Sequence, residues 1–186
     1  MKAAFIALDE CALWQVAMLQ KILYQNRWAW RTLTLDGRPV ITDGGIRLMP
    51  DSSVESASPR DYDLLAIAEG NVSPEQLEQT GLQRFLRQFD AQRSLITATG
   101  LAVVLLAGTG LLGGLRFTTN ESVYYDFGKL FAHSIYTKEP VTVDGNIITA
   151  KEQAHLEFAL AVCQHLGISE KNPASLRQAR NLMRNE

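Results

Sequence analysis

Cysteine is scarce in this chain: Cys11 and Cys163 are its only two thiols, and none lies between them. Two cysteines in separate segments exclude a zinc ribbon and a disulfide framework, and such sparse usage suits a reducing, cytoplasmic setting. Histidine is nearly as rare, and His133, His155 and His165 share no ligand spacing, so no metal or cofactor is expected. Positive charge is not in excess. The net charge is −2 and no basic stripe runs along the sequence, which leaves no electrostatic case for nucleic acid or an anionic membrane surface. The early apolar run Ala3–Leu8 is too short for the core of a signal peptide, and Asp9 and Glu10 follow it directly. No repeat, low-complexity tract or linker interrupts the chain, so one domain over 1–186 with a sizeable core is expected.

What the sequence does have is one long uncharged stretch, Ser94–Leu115, between Arg93 and Arg116. Its length invites comparison with a membrane span. Gly100, Gly108, Gly110, Gly113 and Gly114, together with Thr97, Thr99 and Thr109, argue against one continuous helix. The pattern predicts a buried strand over Leu95–Thr99, a tight turn at Gly100 and a buried helix over about Leu101–Ala107. In open α/β sheets the carboxyl ends of the strands hold the site, which puts any chemistry near that turn.

The rest of the chain alternates strand and helix signals. Lys2–Leu8 reads as a buried strand, and Ala12–Tyr24 carries apolar residues near helical spacing. Trp28–Leu35 alternates and is aromatic, as a strand does, with Trp28 and Trp30 expected in sheet packing. Asp36-Gly37 suggests a hairpin into Pro39–Thr42, followed by Asp43-Gly44-Gly45 and a short strand at Ile46–Met49. Asp51–Ser58 reads as a loop or short helix, and Tyr62–Ala68 as a second buried strand ending at Glu69-Gly70. Ser73 is placed to cap a helix from Pro74, and Leu82–Phe89 continues helical. Asp144-Gly145 turns between short strands, Lys151–Leu166 is a helix burying Ala154, Phe158, Ala161 and Val162, and Ser175–Arg184 is a terminal helix. The order predicts a three-layer α/β/α sandwich around a mostly parallel, flavodoxin-like sheet with hairpin decorations.

Several of these pieces together resemble the ThiJ/PfpI family, within the class I glutamine amidotransferase-like superfamily. They are the opening strand and helix, Tyr62-Asp63-Leu64-Leu65 leading to Glu69-Gly70, the turn followed by Ala107–Gly114, Thr118-Thr119-Asn120, and Val143–Ala150 running into Glu157-Phe158-Ala159. The resemblance covers about residues 2–168 and implies a homodimer. It also implies a cysteine at a strained strand-to-helix elbow, a glutamate near the start of the first helix, and often a histidine after the glycine-rich turn. Those positions fall on Gly100, Gln15 and Asn120, so all three chemical groups are absent.

Each residue near the expected site has a structural and a functional reading. Gly100 relieves the strained geometry of an elbow, or floors a pocket where a ligand approaches the backbone. Gln15 and Asn120 are packing and turn residues, or polar groups lining that pocket. Glu69-Gly70 stands where the family has a glycine pair whose backbone forms an oxyanion hole. An inward Glu69 would disfavour an oxyanion there, and the expectation is that it points to solvent or caps a helix. The amides of Gly70 and Leu101 remain available for an anion-binding nest. Cys11, beside Glu10, is an idle core cysteine or a displaced nucleophile, whereas Cys163 is core, and His155 and Glu157 lie on a helix remote from the elbow. The expectation is a protein without cysteine hydrolase chemistry that binds a small polar ligand or acts as a regulatory or structural dimer. The competing reading is an amidotransferase-, protease- or glyoxalase-like enzyme using Cys11, or a water positioned by Glu10 or Glu69.

Overall fold

A computed structural model describes residues 1–168 and residue 181. The expected terminal helix Ser175–Arg184 lies outside the described residues apart from Asn181. The chain opens with β1 (Lys2–Ile6), whose residues after Lys2 are all buried. Strands covered on both faces read as continuous apolar runs, which is why KAAFI was legible. Helix α1 (Trp14–Gln25) follows and buries Val16, Leu19, Ile22 and Leu23 along one stripe. Next comes β2 (Ala29–Thr34), hydrogen-bonded in parallel to β1 from Ala29 opposite Lys2 to Leu33 opposite Ile6. Trp30 packs its ring 5.4 Å from Phe5, as sheet packing requires.

The region after β2 departs from expectation. Asp36-Gly37 does not turn β2 into a hairpin. The hairpin instead joins β3 (Val40–Ile41) to β4 (Arg47–Leu48) across Asp43-Gly44-Gly45. The edge position beside β2 is taken by β5 (Ser52–Ser53), a parallel strand inside the stretch expected to be loop or helix. Local turn chemistry marks where a chain can reverse. It does not choose the partner, and Leu33 and Thr34 find theirs nineteen residues later.

Beyond β5 the chain follows the expected alternation. The fully buried β6 (Leu64–Ile67) leads to α2 (Pro74–Glu78). Ser73 accepts from the Gln76 amide, and the Gln76 side chain answers at the Ser73 amide, a reciprocal cap with Pro74 at the first helical position. Helix α3 (Thr80–Ala91) buries Leu82, Phe85, Leu86 and Phe89. The uncharged stretch divides as expected into β7 (Leu95–Thr99), a 3₁₀ turn over Gly100–Ala102, and α4 (Val103–Gly108). No described helix is long and apolar enough to cross a membrane. The remaining elements are β8 (Arg116–Phe117), α5 (Glu121–Asp126), β9 (Ile135–Tyr136), the hairpin of β10 (Val141–Asp144) with β11 (Ile147–Ala150), and α6 (His155–His165). Helix α6 starts four residues later than expected and buries Leu156, Phe158, Ala159, Val162 and Cys163, with Ala161 only half-buried.

Among the described residues the main sheet runs β10-β11-β7-β6-β1-β2-β5, parallel throughout except for β10. Side-chain alternation sends Ala4 and Ile6 of β1 into one core with Phe85, Phe89 and Val104. Ala3 and Phe5 go to the other, with Leu19, Phe158 and Val162. The result is a sheet between α1 and α6 on one face and α2, α3 and α4 on the other, the three-layer α/β architecture read from the sequence. The chain leaves β1 for α1 on one face and leaves β6 for α2 on the opposite face. A crevice therefore opens between these neighbouring strands at their carboxyl ends.

Candidate functional site

The crevice is a cleft of about 450 Å³ lined by Glu10, Ala12, Trp14, Gln15, Asp43, Glu69, Gly70, Asn71, Leu101 and Glu152. Five chain segments meet there: the loop after β1 with the start of α1, the turn between β3 and β4, the loop after β6, the elbow after β7 and the loop after β11. Backbone hydrogen bonds bind the loops after β1 and β6 together, from the Ala12 amide to the Glu69 carbonyl at 2.7 Å and from the Asn71 amide to the Asp9 carbonyl at 2.8 Å. Gly70 permits that approach. A Cβ there would lie 2.8 Å from Leu8 Cβ and 3.0 Å from the Asp9 carbonyl oxygen, where neither can yield. The β3–β4 hairpin folds against the same rim, with the Glu10 amide donating to the Ile41 carbonyl at 2.7 Å. Trp14 donates from Nε1 to Asp43 at 2.9 Å.

Gly100 is the elbow, with φ of +52°, between a strand and a helical turn as expected. Two conditions favour glycine at this position. One is the left-handed backbone. The other is Glu69, because a Cβ on residue 100 would fall 2.0 Å from Glu69 Oε2 and 2.7 Å from its Cδ. The carboxyl group of Glu69 thus occupies the space into which any side chain at the elbow would project.

Glu69 faces inward, contrary to the solvent-facing or helix-capping orientation expected from the sequence. The physical reason is the set of donors that awaits it. Gln15, carried on the first turn of α1 and only 1% exposed, donates from Nε2 to Glu69 Oε2 at 3.1 Å. The backbone amide of Leu101 adds to the pull on the charged carboxyl group. Gln15 is itself aimed by its other end: Oε1 accepts from Thr99 Oγ1 at 2.5 Å and from the Glu69 amide at 3.1 Å. Burial raises the Glu69 pKa, and the negative charge and shared hydrogen bond of Glu152 raise it further, against the opposing pull of Gln15 and Leu101. Two carboxyl groups that share a site favour holding one proton between them.

The other expected site residues separate into two groups. Glu10, Gln15, Glu69, Gly70 and Leu101 line the cleft, and Gly100 directly precedes Leu101. Asn120 and Cys11 do not line it. Asn120 sits behind, where its Oδ1 accepts from the Glu152 amide at 2.9 Å and fixes the loop that carries Glu152. Cys11 is fully buried among Val16, Ala66 and Ala68. Burial pushes its thiol up to about 11, helped by the charges of Asp43 and Asp9, so it carries no reactive thiolate at neutral pH. His155 is less remote than expected, since its ring meets Trp14 edge-on at 5.4 Å. Sequence reasoning missed Glu152, Asp43 and Trp14. Glu152 was accessible to it in principle, because it directly follows a strand at the same carboxyl edge. Among the described residues no group of three or more His, Cys, Asp or Glu is arranged to hold a metal ion.

Fold and cleft define an α/β protein of the flavodoxin-like kind, with its site at the carboxyl edge of a parallel sheet beside a strand-to-helix elbow. Residues 1–165 match the DJ-1/PfpI family, and the chain belongs to it. It is 27% identical over 139 residues to a Bacillus subtilis protein named uncharacterized protease YoaZ, covering 74% of this chain and 66% of that one. Isonitrile hydratase of Pseudomonas putida is 28% identical over 143 residues, which cover 76% of this chain and 59% of that enzyme. Among solved structures, a DJ-1 superfamily protein of Agrobacterium tumefaciens superposes with a TM-score of 0.80 at 25% identity, covering 97% of this chain and 98% of its own. The chain thus spans two thirds or less of the length of the two relatives, and nearly the whole of the structural neighbour.

Proposed function

We propose that this DJ-1/PfpI protein binds a small polar ligand in the cleft beside Gly100 and carries out no cysteine-dependent hydrolysis. One observation carries the reading: the elbow holds glycine, and a carboxyl group from the neighbouring strand fills the space a nucleophile's side chain would use. The cleft offers Gln15, Asn71, the Trp14 edge and several carboxylates, a lining that rewards polar rather than apolar contact. The nearest thiol is sealed in the core with its ionisation suppressed. This reading takes a homodimer from the family resemblance and a cytoplasmic setting from the scarcity of cysteine.

A second reading draws on the carboxyl pair. Glu69, with its raised pKa beside Glu152, has the character of a proton donor and acceptor, which supports acid–base chemistry on a bound ligand. The relatives named as a protease and as isonitrile hydratase make an enzyme of some kind a reasonable competitor. Titration of isotope-labelled protein with small carboxylates and with small amines tests the first reading. The Gly70, Leu101 and Glu152 amides are expected to move with at least one class, and silence with both overturns ligand binding. Turnover of methylglyoxal or a peptide that Cys11→Ser abolishes refutes the exclusion of cysteine chemistry. Turnover that survives Cys11→Ser and disappears in Glu69→Gln establishes the second reading instead.

A further inference from the structure

The donors at the elbow are already engaged. Gln15 Nε2 donates to the Glu69 carboxyl group at 3.1 Å, and the Leu101 amide beside it favours the same charge, the kind of setting a protein uses to hold the carboxylate of a ligand. Here that group is the chain's own Glu69. Three independent features keep it seated: glycine at residue 100, where a Cβ would lie 2.0 Å from Oε2; Gln15 locked by Thr99; and the short backbone link from Ala12 to the Glu69 carbonyl. Around it the lining carries Glu10, Asp43 and Glu152 and no lysine or arginine. An incoming carboxylate therefore finds its natural donor occupied by the chain's own carboxyl group.

We propose that Glu69 is the specificity-determining residue of the cleft: a built-in carboxylate that excludes anionic ligands and reserves the site for a small ligand bearing an ammonium group. The assignment rests on the ligand-binding reading above and gives that ligand its charge. An ammonium donates three hydrogens, and Glu69, Glu152 and Glu10 supply the acceptors from three different loops. Replacing Glu69 by alanine removes a fragment equivalent to acetate and leaves Gln15 Nε2 and the Leu101 amide without their acceptor, in a gap of acetate's shape. Replacing it by glutamine keeps the gap filled and removes only the charge.

The test is an NMR titration of the wild type, Glu69→Ala and Glu69→Gln with sodium acetate and with methylammonium chloride, at matched ionic strength. Acetate is expected to bind Glu69→Ala about tenfold or more tighter than the wild type, the increment of one charge-assisted hydrogen-bond pair. The Leu101 amide and the Gln15 side-chain amide are expected to move as it binds. Glu69→Gln is expected to gain no acetate binding and to bind methylammonium more weakly than the wild type. If Glu69→Ala does not fold, Glu69→Gly with propionate, the fragment that substitution removes, carries the same comparison. Equal acetate affinity in the wild type and Glu69→Ala overturns the assignment. So does acetate binding by Glu69→Gln matching that of Glu69→Ala, since charge rather than occupancy would then be the cause. If methylammonium binds the wild type while either of those results holds, the selectivity assignment fails and the ligand reading stands. If neither probe binds any variant, both fail together.

Discussion

Gly100→Ala measures how tightly the elbow and Glu69 are coupled. Two costs add. An L-residue in the left-handed region, here at φ +52°, costs about 1–2 kcal/mol where glycine pays nothing. The new Cβ also lands 2.0 Å from Glu69 Oε2, so the carboxyl group must swing out and surrender Gln15 Nε2 and the Leu101 amide. Hydrogen bonds to a charged group are worth about 1.5–3 kcal/mol, but Glu69 is only half-buried and recovers water, so about 1–2 kcal/mol is a fair net loss. The sum is about 2–4 kcal/mol, a fall in Tm of roughly 5–15 °C for a chain of this size. Urea denaturation of the wild type, Gly100→Ala, Glu69→Ala and the double variant isolates the second cost. With Glu69 already truncated, Gly100→Ala is expected to retain only the backbone strain, leaving a coupling of about 1–2 kcal/mol between the two positions. A penalty identical in both backgrounds would refute the contact, and one below about 0.5 kcal/mol in the wild type would refute the elbow strain as well.

Other outcomes follow from the same geometry. Because the folded-state pKa of Glu69 is raised above its ordinary 4.5, burial first and Glu152 second, the stability linked to its proton is present below that value. It is lost as pH rises through the folded-state pKa. Glu69→Gln does not titrate, so its stability relative to the wild type is expected to improve between pH 4 and pH 7 in urea melts; a relative decline over that range contradicts the shift. Iodoacetamide is expected to leave Cys11 and Cys163 unmodified in the native protein at pH 7, with thiols pushed up to about 11 and about 12, and to modify both once the chain is unfolded. Rapid native alkylation of Cys11 would show that its loop opens.

The sequence by itself determined the layers. KAAFI and LITAT are buried on both faces of the sheet, so they appear as apolar runs with no need for partners to be known. The break at Gly100 was equally local, because glycine enters the left-handed region without strain and Gly100 is the first glycine after the apolar strand. Gln15 and Leu101 lie at a helix start and past a strand end, positions that the sequence periodicities fix. Tertiary structure decided the rest. Whether β2 would pair with the next apolar segment or with Ser52-Ser53 depended on which chain reached the sheet edge, and Asp36-Gly37 carries no record of that. Asn120 is not among the cleft lining, and its side chain instead anchors the loop that carries Glu152. Above all, the direction of Glu69 was invisible in the chain. A carboxylate beside a glycine ordinarily seeks water, and this one turns inward because Gln15 from α1 and the Leu101 amide from the elbow meet it there. Those groups lie 54 residues before it and 32 after it, and only the fold brings them to one carboxyl group.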